Sequence, residues 1–222
     1  QIPNLIFEKN LFGIDIDPRC YQLASFALSM KARSFYSRFF RRAMAPNVIA
    51  LHNVDTNTIA EAGNWPEKST IWSFANVDTI GSLLKITPNE YESIHIPSTI
   101  WDAPLKELKL QAKFLSEKYH CVVTNPPYLG KGMGDVVKEY ASKHYSNSKS
   151  DLFAAFTERC IGLLSKNGIT GLVTMESWMF LSSYENLRKY IIDNTQILSL
   201  SHFDWHIMRI AFGTVSFILQ NR

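Results

Sequence analysis

The chain has 222 residues, 46% of them hydrophobic, and a formal net charge of +3. That length supports one sizeable core and one or two domains, and the mild basicity is compatible with nucleic acid without being diagnostic of it. No apolar run reaches the roughly 18 residues needed to span a membrane, and Cys20, Cys121 and Cys160 lack the CxxC spacing of a zinc or disulfide framework, so they read as reduced core thiols of a cytoplasmic protein.

The opening, QIPNLIFEKN, lacks the basic and then apolar order of a signal peptide. It also lacks an initiating Met, which suggests a piece of a longer chain. NLFGIDID (10–17) alternates briefly and stops at Pro18, the pattern of a short strand with Asp17 as N-cap and Pro18 at the first helical position. The helix that follows carries Leu23, Phe26, Ala27 and Met30 at helical spacing and runs on towards Phe40. NVIAL (47–51) is a second strand. Residues 56–116 hold several turn signals, no clear strand, and expected helices around 66–85 and 104–118, and are read as an insertion within one domain.

YHCVVTN (119–125) is a third strand, followed by a polar loop over residues 130–150 that exceeds the usual connection length. An amphipathic helix spans 151–164, with Gly168 expected as its C′ residue. Strands at 169–175, 195–203 and 213–220 and a helix at 182–194 complete the chain. Helices alternating with β-rich runs predict an α/β fold, a parallel sheet flanked by helices.

The third strand ends on Asn125-Pro126-Pro127-Tyr128. Ligands of open α/β sheets sit beyond the carboxyl ends of strands. The two prolines fix φ and bar a helix from starting there. The Asn125 amide offers an acceptor oxygen, and no regular ladder consumes the Pro126 carbonyl, so one amino group can be held from two directions. Tyr128 adds a flat face for a ring. This corner suits a planar substrate bearing an NH₂ group, such as adenine, whose lone pair is delocalised until acceptors draw on its hydrogens. Positioning and electrostatics would supply most of the catalysis. A base inside a duplex must first flip out, at a cost of a few kcal/mol, against which stacking returns roughly 1–3 kcal/mol.

GIDIDP places Asp15 and Asp17 on one side of the first strand and Ile16 on the other. Asp17 is needed as a cap, which leaves Asp15 as candidate acceptor of ribose hydroxyls and Ile16 as a candidate adenine face. The alternative makes both aspartates plain turn and cap residues.

LFGIDIDPRCYQLASFALSMKA, VVTNPPYLGKG, SDLFAAFTERCIGLLSKNGITGLVTMESWMF and AFGTVSFIL, in that order, resemble an adenine-specific DNA methyltransferase, most like the large BREX phage-defence enzyme and next the type IIG restriction-modification enzymes. The resemblance implies a Rossmann-like class I methyltransferase sheet with an antiparallel last strand, S-adenosyl-L-methionine as cofactor, double-stranded DNA as partner, further subunits of a defence complex, and N6-methyladenine as product. It makes Asn125, Pro126, Pro127 and Tyr128 the catalytic motif. Phe212 would be a second base-stacking aromatic, unless it is a plain core Phe. It puts Asp15 on the ribose and Ile16 on the adenine face. Asp55 would be the acid on the cofactor amine, with Asp78 as its rival. The family's glycine loop precedes the acidic strand and is not found in residues 1–10, and no target-recognition domain follows. The fragment alone is therefore expected to bind cofactor weakly and to transfer no methyl groups. An NPPY enzyme acting on protein glutamine or ribosomal RNA, and a non-catalytic DNA-binding module, remain the alternatives.

Lys131, Lys138, Lys143 and Lys149, in the loop after the motif, are the expected DNA-backbone contacts. The basic, aromatic stretch 31–44 reads either as a track for a DNA backbone or as the solvated face of an amphipathic helix. His202 and His206 stand four apart without a third ligand, so no metal is expected. The resemblance would put residues 177–180 beside the cofactor, and core packing explains Trp178 equally well.

Overall fold

The computed structural model describes residues 2–41, 44–96, 103–130, 132–203 and 212–222. They form two compact units, Gln1–Leu115 and Ser116–Arg222.

The first unit opens with α1 (Ile2–Lys9) and continues through β1 (Phe12–Asp15), α2 (Pro18–Phe35) and β2 (Asn47–Ala50). β1 and β2 pair in parallel, Phe12 opposite Asn47 and Asp15 opposite Ala50, so α2 is a βαβ crossover. Asp17 caps α2 by accepting from the Arg19 N–H at 2.8 Å, with Pro18 in the first turn. The helix stops at Phe35, short of Phe40, and only Phe39 of the aromatic run is buried, edge-on to Phe7 with centroids 5.0 Å apart.

Beyond β2 come α3 (Thr56–Glu61), α4 (Val77–Ile80), α5 (Pro88–Glu92) and α6 (Ala103–Ser116). The helix expected around 66–85 is instead a 3₁₀ segment, Thr70–Asn76, then the single turn of α4 and a second 3₁₀ piece, Gly81–Leu83. Gly81 breaks the run with a φ of +63°, a conformation costly for any residue with a Cβ. Ile59, Ile71, Phe74, Leu83, Leu108 and Leu115 fill the core of this unit. Gln111, buried on α6, ties that core to the end of β2. Its amide accepts from the His52 N–H at 3.0 Å and donates to the His52 carbonyl at 3.2 Å.

The second unit is a four-stranded sheet of order β3-β4-β6-β5, built from β3 (Tyr119–Thr124), β4 (Leu164–Met175), β5 (Thr195–Phe203) and β6 (Thr214–Asn221). β3 and β4 are parallel, and β6 runs antiparallel to both β4 and β5. Three strands therefore share one direction and the last in sequence opposes them, as the resemblance implies. α8 (Leu152–Leu163) and α9 (Glu185–Asn194) pack their apolar faces on this sheet through Phe153, Leu187 and Ile191 against Leu172, Val215, Phe217 and Leu219.

Two expectations are corrected here. The stretch 130–150 is not all loop, because α7 (Asp135–His144) occupies its middle and buries Val137, Tyr140 and Ala141. Gly168 does not end α8, whose cap is Leu164 in extended conformation. The turn lies a few residues later, where the β3–β4 register shifts between Tyr119 and Cys121 and Asn167 takes a φ of +62°. Gly168 is needed there for close approach: a Cβ would stand 3.0 Å from the carbonyls of both Ser165 and Tyr119. Of the three free cysteines only Cys160 is a core residue, and Cys20 and Cys121 are exposed.

Candidate active site

In the second unit the chain leaves β3 at Thr124 and reaches an exposed Asn125 at once, then a buried Pro126 and an exposed Pro127. Pro126 anchors the corner in the protein, and the proline rings hold the flanking amide in place. Among the described residues nothing hydrogen-bonds to the Pro126 carbonyl. The Tyr128 hydroxyl lies 2.9 Å from Asn125 Oδ1 and 3.2 Å from the Val173 carbonyl of β4. It has one proton, so the shorter approach is the principal bond, and the amide oxygen keeps a second lone pair. Burial raises the Tyr128 pKa above its ordinary value, so the phenol stays a donor at neutral pH.

The Tyr128 ring packs edge-on against Phe153, 6.3 Å between centroids at 84°, and against Phe212, 5.6 Å at 78°. Phe212 stands just before β6, so the two rings named for base stacking do meet. Their arrangement is not a sandwich: a base between two parallel rings needs about 7 Å, twice the usual carbon–carbon contact. The rings must part for a base to enter.

In the first unit, Asp15 ends β1 half-exposed, and one carboxylate oxygen accepts from the Asp17 N–H at 2.8 Å. Ile16, the residue after β1, is 48% exposed, high for an isoleucine. Gly81 approaches it closely, and a Cβ on that glycine would lie 3.1 Å from Ile16 Cγ2. Asp55 is exposed and caps α3 by accepting from the Asn57 N–H at 2.8 Å. Asp78 is also exposed, in the first turn of α4, where its Oδ1 accepts from the Thr79 hydroxyl at 3.0 Å. Asn53 links the two rival acids: its Oδ1 accepts from the Asp78 N–H at 3.0 Å, two residues before Asp55. Sequence reasoning missed Asn53, because a lone Asn after a strand reads as a turn residue.

Lys138 and Lys143 are exposed on α7, and Lys149 is exposed between α7 and α8; Lys131 lies outside the described residues. His202 pairs with Glu176, and His206 lies outside the described residues. Trp178 is buried against Phe217, with centroids 5.1 Å apart.

An α/β chain of Rossmann type that presents a rigid Asn-Pro-Pro-Tyr corner at one strand end and an acid followed by an exposed isoleucine at another is of the methyltransferase class in its fold and motif order. The chain belongs to the Eco57I restriction-modification methylase family, whose model matches residues 9–207. It is 33% identical to the adenine-specific methyltransferase BrxX of Escherichia coli O9:H4 (strain HS), over 97% of this chain and 21% of that protein. It is 31% identical to the adenine-specific methyltransferase PglX of Lacticaseibacillus casei (strain Zhang), over 98% of this chain and 20% of that one. The chain thus spans about a fifth of these relatives. Among solved structures it is similar in fold to the ATP-dependent Type ISP restriction-modification enzyme LlaBIII bound to DNA, with a TM-score of 0.57, 14% identity, and coverage of 98% of this chain and 14% of that one. A DrdV–DNA complex gives the same TM-score and identity over 97% of this chain and 20% of the other. Among the described residues no helix is long and apolar enough to cross a membrane.

Proposed function

We propose that the protein carrying this chain transfers a methyl group from S-adenosylmethionine to the exocyclic amine of an adenine flipped out of double-stranded DNA, in restriction-modification or phage defence. The observation that carries this reading is the exposed Asn125 amide at the end of β3, held by the Tyr128 hydroxyl in a chain of a methylase family. Asn125 Oδ1 and the Pro126 carbonyl accept the two hydrogens of the amine, which localises its lone pair on nitrogen. Tyr128 bears one face of the base and Phe212 the other once the rings have parted. The relatives named as adenine-specific methyltransferases support the choice of base.

The residues around the end of β1 fit the cofactor. Asp15 has a carboxylate oxygen beyond the one bonded to the Asp17 N–H, suited to ribose hydroxyls. Ile16 is bare beside a glycine whose absent side chain leaves an apolar face open. Asp55, or alternatively Asp78, would accept from the adenine amine. When bound, S-adenosylmethionine supplies an electrophilic methyl group on a sulfonium sulfur. Residues 56–116 are read as an insertion within the catalytic domain, and Lys131, Lys138, Lys143 and Lys149 as phosphate contacts.

The test is incorporation of labelled methyl groups from S-adenosylmethionine into unmethylated genomic DNA by the full-length protein, with N6-methyladenine identified by mass spectrometry. Asn125→Ala is expected to cut the rate by about 10²–10³, the usual loss when one preorganised polar partner of a transition state is removed. An Asn125→Ala protein as fast as wild type would sink the assignment.

A further inference from the structure

Asp151 lies outside the methyl-transfer motif, yet its carboxylate stands between α8 and the loop that leaves that motif. The side chain is 6% exposed. It caps α8 by accepting from the Phe153 N–H at 3.2 Å through Oδ1. Its other oxygen, Oδ2, stands against Gly130, and the N–H of Leu129, the residue immediately after Tyr128, also acts on the carboxylate. A helix cap needs only one acceptor oxygen, so the approach of Oδ2 to this loop is extra to the capping role. It ties the chain leaving the Asn-Pro-Pro-Tyr corner to the helix whose Phe153 is the edge-on partner of the Tyr128 ring.

Gly130 shows how closely this loop is drawn in. Its φ is not in the left-handed region, so the glycine is not required by backbone conformation. It is required by space: a Cβ there would stand 2.8 Å from Asp151 Oδ2. The methyl would have to displace the loop or a carboxylate that the Phe153 N–H holds at its other oxygen. Burial raises the Asp151 pKa above its ordinary value, and the Phe153, Leu129 and Leu152 N–H groups oppose the shift. Keeping a carboxylate in such a place costs stability, and a neutral cap would serve α8 without that cost.

Resting on the reading of this corner as a base-binding site, we propose that Asp151 is a positioning residue for methyl transfer: by standing against the loop at Gly130 it fixes where the Tyr128 ring and the Asn125 amide stand relative to the incoming base. It touches neither base nor cofactor. Its effect is on geometry at the reacting amine, where a displacement of about 1 Å can cost up to 10²-fold in rate.

The experiment uses the full-length protein, single-turnover methyl transfer into unmethylated DNA, cofactor affinity by calorimetry, and thermal melting. Asp151→Ser keeps a good helix cap but is too short to reach the loop, and Gly130→Ala drives a methyl group into the carboxylate while leaving the cap residue in place. Each is expected to slow transfer about ten- to a hundredfold, with cofactor affinity within about twofold of wild type and melting temperature within a few degrees. The double variant is expected to be no slower than the slower single one, because both break the same tie. Asp151→Ser at the wild-type rate would show that Asp151 only caps α8 and would overturn the proposal. So would rates that fall only in step with cofactor affinity or melting temperature, or multiplicative losses in the double variant. Should Asp151→Ser fail to fold, Gly130→Ala alone decides, and a folded Gly130→Ala protein at the wild-type rate rejects the idea. A wild-type protein that transfers no methyl group overturns the underlying reading and this inference with it, whereas a wild-type protein that is active and sensitive to Asn125→Ala beside an unaffected Gly130→Ala overturns the inference alone.

Discussion

Two substitutions at Tyr128 separate the work of its hydroxyl from that of its ring. Tyr128→Phe keeps the ring and its edge contacts with Phe153 and Phe212 but removes the hydroxyl that bonds to Asn125 Oδ1 at 2.9 Å. A typical hydrogen bond is worth about 0.5–1.5 kcal/mol net. Losing about 1 kcal/mol of hold on the Asn125 amide slows transfer roughly fivefold. Tyr128→Ala also removes the ring. The lost stacking is worth about 1–3 kcal/mol per base. Part of that is offset, because wild type must break the Tyr128–Phe212 contact, itself worth about 0.5–1.5 kcal/mol, before a base can enter. The central values leave a net ring term of about 1 kcal/mol, so Tyr128→Ala is expected to run about thirtyfold slower than wild type and about fivefold slower than Tyr128→Phe. Single-turnover transfer with saturating cofactor reads these ratios, and thermal melting in the same buffer confirms that both variants are folded at the assay temperature. Tyr128→Ala no slower than Tyr128→Phe would mean that the ring bears no base. Tyr128→Phe at the wild-type rate would mean that the bond to Asn125 has no part in catalysis.

Neutralising Lys138, Lys143 and Lys149 together is expected to lower the slope of log affinity against log salt for duplex DNA by about one for each lysine that meets a phosphate, measured by fluorescence anisotropy on the full-length protein; an unchanged slope removes all three from the interface. Burial pushes the Cys160 thiol up to about 12, so it stays protonated at pH 8 and should escape alkylation in the native protein. Peptide-level mass spectrometry that finds Cys160 labelled as fast as in urea would refute this. Hydrogen bonding from the Arg19 side chain, then from the Arg19 N–H, lowers the Asp17 pKa from 3.8 to about 2. A carboxylate with a depressed folded-state pKa stabilises above its unfolded value and loses that stabilisation as pH falls through the folded one. Wild type should therefore lose more stability between pH 4 and pH 2 than Asp17→Ala does, by denaturant titration at each pH, and parallel losses in the two proteins would contradict the assigned pairing.

All six strands among the described residues were legible, because each is a short β-branched or aromatic run bounded by turn residues, and Asp17 announced its helix through Pro18. What was not legible depended on partners far along the chain. α7 hid because its lysines and serines resemble a loop, although Val137, Tyr140 and Ala141 do keep helical spacing. At Gly168 the turn signal was real but belonged to an irregularity in β4, since only pairing with β3 shows that residues 164–168 are already in the sheet. Residues around 66–85 read as one helix because their apolar spacing suits 3.6 residues per turn. Gly81, with its positive φ, and Ser69, which caps Thr70–Asn76, divide them into shorter tight turns. Asn125 and Tyr128 were legible as a corner. That Tyr128 bonds to Asn125 was not, because the rotamer is decided by Val173, Phe153 and Phe212. Asp151 read only as the first residue of the helix 151–164 for the same reason: the Gly130 loop that its Oδ2 stands against belongs to a different part of the chain.

The ends of β1 and β3 share one physical device. At each, the backbone is locked just where the strand stops, and a side chain that packing rules would bury or bond elsewhere is left open. At β1 the Asp15 carboxylate accepts from the Asp17 N–H, Asp17 caps α2, and the Leu51 N–H donates to the Asp15 carbonyl at 2.8 Å, so Ile16 is pinned on both sides yet bare. At β3 two prolines replace hydrogen bonds as the lock, and Asn125 is held by a tyrosine that follows it. Exposing an isoleucine and immobilising an amide both oppose stability locally, and such violations of local rules are expected where a chain does chemistry. Under the proposed function, the ordering cost is met during folding, so a ligand at either strand end would find its partner already in place and lose less affinity to immobilisation. Preorganisation of this kind matters most for an amine that must be presented to an electrophile in one orientation, because acceptors misplaced by an ångström would bind the base and still fail to activate it.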